Sequence, residues 1–357
     1  MDDMSKNSWI GRRWKLILNL VTFIALLILV YAIRHQLGDT IRNLARVDAW
    51  ALVLLIPIEA LNYHAQARLY QRLFGIVGNR ISYKHLYRTA IELNFVNHVF
   101  PSGGVTGVSY FGLRMRDGDK LSSGKATLVQ VMKLGLTFLS FEILIIFGLF
   151  CLAVMGRVNN LVILVAASLS TLLIVGTIGF VYVVGSKVRI NGFFTMVTKG
   201  LNRLIHIVRP GYPETISIKG ARKVFDDFHD NYEAIEENLD QLKSPFWYAL
   251  LANVTEVMAL YVVFLAFGKP VNVGAVILAY GIANFAGLVS VLPGGIGIYE
   301  ALMTAVLAST GVSAAVSLPV VVMYRVVNTA IQIPPGYYLY QKNLGGRERQ
   351  PEAPDAT

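Results

Sequence analysis

From Val273 to Leu318 the only ionisable side chains are Tyr280, Tyr299 and Glu300. A stretch this apolar belongs in a bilayer, whose hydrocarbon core of about 30 Å is crossed by a helix of roughly 20 apolar residues. Several other runs reach that length. The totals agree, since 55% of the residues are hydrophobic and only 15% are charged, whereas a soluble domain carries about a quarter charged residues. The chain reads as an all-α polytopic membrane protein.

Continuous spans are predicted at Trp14 to Ile33, Ala49 to Ala65, Ala126 to Met155, Leu161 to Gly185, Phe246 to Phe267 and Leu318 to Leu339. The first follows Arg12 and Arg13, but its apolar core is too long for a signal peptide and lacks a small-x-small cleavage site, so it reads as a retained span. Two further apolar segments are interrupted. Leu86 to Leu113 breaks at Pro101-Ser102-Gly103-Gly104, and Gly274 to Thr310 breaks at Pro293-Gly294-Gly295. Each piece beside a break is about half a span long.

Charge decides whether the broken segments cross the membrane or turn back. If both turn back, the basic loops Arg68 to Lys84 and Arg114 to Lys125, the central loop and the Lys342 to Arg349 tail share the side of the N-terminus. If both cross, the bias inverts over the middle of the chain, so the positive-inside rule favours re-entrant hairpins. Each half then reads span, span, hairpin, span, with the second half inverted. The breaks correspond as well: Asn94-Phe95 precedes one and Asn284-Phe285 the other. The predicted fold is therefore about six full transmembrane helices plus two re-entrant broken-helix hairpins in an inverted repeat.

A single membrane domain is expected over residues 1–344, with one repeat at 14–155 and the second at 161–340. The second contains a cytoplasmic amphipathic insertion, 186–244. Its basic part, Lys187 to Lys223, suits a helix on an anionic membrane surface. Its acidic part, Asp226 to Asp240, has a 3,4 apolar repeat suited to packing on the bundle or on a second copy of the chain. Residues 345–357 read as a disordered tail.

The net charge of +10 lies in loops rather than in a compact basic domain, which points to anionic lipid head groups and not to nucleic acid. The single cysteine, Cys151, excludes an intrachain disulfide, and the six scattered histidines form no metal-type pair. No metal or other cofactor is expected.

Irregular backbone at membrane depth must face protein or a water-filled cavity, so both breaks should point inward. A half-helix restarting after Gly103/Gly104 or Gly294/Gly295 would offer free N–H groups to a phosphate or carboxylate. Alternatively, the glycines permit close helix packing. Glu300 falls within the second turn after Gly295 and needs a partner or a proton. Arg325, with Asn328 and Gln332 on the same span, is the nearest cation in sequence. A Glu300–Arg325 pair would be either a structural lock or part of a transport site. Asn94 and Asn97 precede the first break on roughly one face. Lys133 is placed inside a span, where an ammonium calls for a carboxylate or an anionic ligand; Glu59, Glu142 and Glu256 could pair with it or carry protons, and their spacing does not choose among them. Glu92 and Arg114 read as solvated groups near the cytoplasmic interface. The candidate substrate-binding set is thus Asn94, Asn97, Pro101, Ser102, Gly103, Gly104, Lys133, Asn284, Pro293, Gly294, Gly295, Gly297, Glu300, Arg325 and Asn328. No catalytic residue is nominated. Ser122-Ser123-Gly124-Lys125-Ala126 lacks both the earlier glycine and the Ser/Thr of a phosphate loop.

FPSGGVTGVSYFGLRMRDG (Phe100 to Gly118), NFAGLVSVLPGGIGIYEALM (Asn284 to Met303) and YRVVN (Tyr324 to Asn328) resemble the lysylphosphatidylglycerol synthase transmembrane-region family, also called flippase-like. The resemblance spans nearly the whole chain. It implies a bacterial or archaeal inner-membrane protein, fused in some members to a soluble aminoacyl-transferase whose lipid product the membrane part moves. The sequence shows no soluble domain of that size, so the expectation is a multi-pass lipid translocase, termini cytoplasmic, acting on an anionic or modified lipid. A scaffold for a separate lipid-modifying enzyme and a membrane-embedded lipid transferase are the alternatives.

Overall fold

The computed structural model describes residues 47–100, 105–119, 121–186, 238–289 and 297–346, with a few isolated positions besides. The predicted first span, both proline-glycine breaks, most of the insertion and residues 347–357 lie outside the described residues. Among the described residues every regular element is helical. They are α1 (Ala49–Val53), α2 (Leu55–Ile76), α3 (Tyr83–Val99), α4 (Val105–Asp119), α5 (Ser123–Val154), α6 (Asn160–Val184), a 3-10 turn (Leu239–Leu242), α7 (Lys243–Ala266), α8 (Val273–Val289), α9 (Ile298–Ser309) and α10 (Ala314–Gly346).

Four of these, α5, α6, α7 with its preceding turn, and α10, are long and apolar enough to cross a membrane. Each overlaps one of the predicted spans almost completely. The predicted span Ala49 to Ala65 is instead divided into α1 and α2, and α2 runs on to Ile76. Hydropathy falls beyond Ala65 while the helix continues, because the bundle gives its polar residues partners. Asn62 Nδ2 donates to Ala252 O at 3.0 Å and to Thr255 Oγ1 at 2.9 Å on α7, and Gln66 Nε2 donates to Asn62 Oδ1 at 2.6 Å. The two interrupted segments appear as helix pairs, α3 with α4 and α8 with α9, the members of each pair packed together.

Helix starts follow local chemistry. Ser82, Ser122 and Asn159 accept the His85, Lys125 and Val162 backbone N–H groups at the beginnings of α3, α5 and α6. The Ser122–Lys125 stretch is thus a helix cap, and Lys125 Nζ reaches back to Val77 O and Asn79 Oδ1.

Packing brings the interrupted segments against distant spans. α2 lies along α7, α3 along α10, and α8 along α5. Glycine makes two of these crossings close. A Cβ on Gly274 of α8 would overlap the Gly148 carbonyl of α5, and one on Gly336 of α10 would overlap Phe95 Cβ of α3. The apolar interior gathers around two main clusters, one from α5 to α10 with Leu52 and Leu55, the other from α2 to α5 with Ala249. In contrast, Phe150, Leu164, Val175 and Ile178 on α5 and α6 are more than half exposed, a surface suited to lipid.

Candidate functional site

Asn94, Asn97 and His98 form consecutive turns at the end of α3. Tyr280 and Asn284 stand on α8, Tyr299 on α9, Glu256 on α7, and Tyr324, Arg325, Asn328, Thr329 and Gln332 on α10. Together they line a cavity of about 270 Å³ inside the bundle. Both interrupted segments therefore contribute to one polar chamber, each through residues just before or just after its break.

The order of its walls is set by hydrogen bonds. Asn94 Nδ2 donates to Tyr63 OH at 2.9 Å, and His98 Nδ1 lies 2.9 Å from the Asn94 carbonyl. Asn284 Nδ2 donates to Tyr280 O one turn earlier at 2.9 Å. Tyr324 OH donates to Glu256 Oε2 at 3.4 Å. A Cβ at Gly107 on α4 would overlap Asn97 Oδ1, so this glycine holds room for the asparagine.

Arg325 is the cation on the cavity wall. Its Nη1 donates to Glu300 Oε1 at 2.7 Å, and its guanidinium carbon lies 4.8 Å from the Tyr299 ring centroid. The other carboxylate oxygen of Glu300 accepts the Gly297 N–H at 2.7 Å. Gly297, at φ 88°, is the N-cap of α9 in a backbone region that a side chain would strain. Glu300, 4% exposed, therefore stands at the positive end of its own helix and neutralises it locally. The expected Glu300–Arg325 pair is formed.

Lys133 stands away from that wall. Its Nζ donates to Gln66 Oε1 at 3.0 Å and Tyr70 OH at 3.1 Å, and among the described residues it makes no ion pair. Amide and phenol oxygens thus supply what the sequence reading sought from a carboxylate, although Glu256 is near enough to interact with it. Glu92 and Arg114 also depart from expectation. Glu92 is fully buried, accepts from Tyr110 OH at 2.8 Å and Arg114 Nε at 3.2 Å, and is bonded by Asn343 of α10. Three donors from two elements make burial affordable where the sequence suggested solvation.

Of the nominated residues, Asn94, Asn97, Asn284, Arg325 and Asn328 meet at the cavity; Gly297 and Glu300 stand behind Arg325; Lys133 is elsewhere. Pro101, Ser102, Gly103, Gly104, Pro293, Gly294 and Gly295 lie outside the described residues. The nominated set omitted His98, Glu256, Tyr280, Tyr299, Tyr324, Thr329 and Gln332. The tyrosines sit at helical spacing inside apolar runs, where a phenol counts as hydrophobic. Tyr324 directly before Arg325 and Tyr299 directly before Glu300 were the signals available.

A second recess is an apolar groove of about 890 Å³ between α2, α3 and α10, lined by Pro57, Leu61, Tyr87 and Ile91 among others. Lys84 and Arg88 border it. It lies along α3 toward the helix start, whereas the cavity lies at the helix end.

Residues 16–336 match the family described as Lysylphosphatidylglycerol synthase TM region. A relative, a UPF0104 membrane protein of Methanothermobacter thermautotrophicus, is 32% identical over 97 residues, which is 27% of this chain and 29% of that protein. With nearly the whole helical bundle inside the family match, the chain belongs to the lysylphosphatidylglycerol synthase TM region family.

Proposed function

We propose that this protein moves a lipid with an anionic head group across the bacterial or archaeal inner membrane, without itself being an enzyme. The observation that carries the reading is the polar cavity walled by both interrupted segments, with Arg325 on its surface inside a bundle of apolar helices. Polar chambers at membrane depth are costly and mark the path of a polar cargo. At about 270 Å³ the chamber suits a head group. Acyl chains would remain in the bilayer, and the apolar groove lined by Lys84 and Arg88 lies on the same helix, α3, nearer its start.

In this reading both broken segments are re-entrant hairpins of an inverted repeat, the termini are cytoplasmic, and rocking of the halves exposes the chamber to each side in turn. The equivalent packing of α3 on α10 and of α8 on α5 supports it. Arg325 holds the phosphate by charge, and the amides of Asn94, Asn97, Asn284 and Asn328 offer donors for its remaining oxygens.

Reconstituted proteoliposomes test the proposal. Purified protein should speed head-group translocation for at least one anionic phospholipid or polyprenyl-phosphate sugar, and Arg325→Gln should remove most of that gain. No acceleration with any of these lipids, in vesicles shown to contain folded protein, rejects it.

A further inference from the structure

Glu59 on α2 is 2% exposed, and among the described residues its Oε2 atom has no hydrogen-bond partner. Asn328 and Gln332, one turn apart on α10, stand beside the Glu59 side chain, and among the described residues each has a side-chain oxygen without a hydrogen-bond partner, Asn328 Oδ1 and Gln332 Oε1. Both residues are more than nine-tenths buried. Buried polar atoms are nearly always satisfied, so three neighbouring orphans call for an explanation. All three are acceptors. They ask for positive charge or for a proton.

The charge balance points the same way. Glu256 of α7 is near enough to Glu59 for their charges to interact, and Lys133 of α5, bonded to Gln66 and Tyr70, is near enough to Glu256 to offset one of them without forming an ion pair among the described residues. Among the described residues one carboxylate in the group is left without a counter-charge, at a depth where an uncompensated ion is expensive. Tyr63 of α2, Tyr280 of α8, Tyr324 of α10 and Tyr299 of α9 complete the titratable surroundings of the two glutamates. Among them, Tyr324 donates to Glu256 and none supplies charge. His98 and Arg325 line the same cavity.

We propose that Glu59, Asn328 and Gln332, with Glu256 behind them, form a binding site for one monovalent cation, a proton or a sodium ion. One excess negative charge, two neutral amide oxygens and a carboxylate oxygen match a single positive charge; a divalent ion would favour more carboxylate. Because Glu256, Asn328 and Gln332 also line the cavity, the occupied and empty states of this site would differ in charge where the proposed cargo passes. An ion bound there can be coupled to transport.

The test is made on purified full-length protein in detergent, so it is read independently of whether any lipid moves. Thermal unfolding is followed with sodium chloride and with choline chloride at equal ionic strength, in mildly acid and mildly alkaline buffer. Infrared difference spectra record any protonated carboxyl band at neutral pH. A sodium-specific rise in melting temperature that Glu59→Gln abolishes and Gln332→Leu moves to higher sodium concentration assigns the ion as sodium. No sodium effect, but a protonated carboxyl band lost in Glu59→Gln, assigns a proton. If wild-type protein shows neither, or if Glu59→Gln retains whichever is seen, the proposal is wrong. Should Glu59→Gln fail to fold, the wild-type measurements together with Gln332→Leu decide: a wild-type sodium effect that Gln332→Leu leaves unmoved, or a carboxyl band unshifted in Gln332→Leu, overturns the site.

Discussion

Each interrupted segment buries one carboxylate against an arginine, but the two pairs tie different things together. Glu92 of α3 is held by Tyr110 and Arg114 of α4, the other half of its own segment, and by Asn343 near the end of α10. That pair closes the first segment on itself. Glu300 of α9 is held by Arg325 of α10, outside its own segment, and by the N–H of Gly297. Here the pair joins the second segment to the last span and leaves the guanidinium on the cavity wall. The same type of contact therefore fastens one segment and equips the other.

The largest effect should come from Arg325→Met. It leaves the buried Glu300 carboxylate without this counter-charge, at a cost of about 3–5 kcal/mol for a broken buried pair. Chemical or thermal unfolding in detergent measures it. The double variant Glu300→Gln/Arg325→Met should regain most of the stability, because no net charge is then stranded. Translocation separates the roles: if the double variant recovers transport as well as stability, the pair is only a lock and the comparison with Glu92–Arg114 collapses into likeness.

Next comes Gly274→Ala. The new methyl would meet the Gly148 carbonyl, backbone that cannot rotate away, so α5 and α8 must separate at about 1–3 kcal/mol. Gly336→Ala probes the equivalent crossing, where the obstacle is Phe95 Cβ, equally close to the main chain. Similar losses at the two sites would make the crossings equivalent; a loss at one alone would show that the halves pack by different means.

Glu92→Gln should cost less, about 1–2 kcal/mol. It keeps the shape of the side chain and one oxygen acceptor for Tyr110 and Arg114, but it removes the charge assistance and puts an amide NH2 where Asn343 found the second oxygen. A loss as large as that of Arg325→Met would make both pairs locks of equal weight. The contrast also shows what the sequence could convey. Apolar length located α5, α6, α7 and α10, and the Pro/Gly interruptions fell between α3 and α4 and between α8 and α9, because both signals are local. The Glu300–Arg325 pair was legible because each is the lone charge in its apolar run. Glu92 was not, since its partners come from α4 and α10, and nearby arginines made a solvated end look sufficient. Lys133 failed for a related reason: a charge count looks for carboxylates, while the bundle answered with Gln66 and Tyr70.

The smallest change in stability is expected from Gly107→Ala, and it bears most directly on function. As at Gly274, the added methyl overlaps a neighbour, but here the neighbour is Asn97 Oδ1, the far end of an exposed side chain that can swing aside. The fold should lose no more than about 1 kcal/mol, on the scale of one displaced side chain. Asn97, however, would leave its place on the cavity wall. If Asn97 contacts the cargo, translocation should fall in Gly107→Ala as far as in Asn97→Ala, with melting temperatures close to wild type in both. If the two variants transport normally, Asn97 is no cargo contact, and what the first segment offers the chamber narrows to Asn94 and His98. Recognition would then lean on the second segment and α10, where Tyr299, Arg325 and Asn328 already stand together.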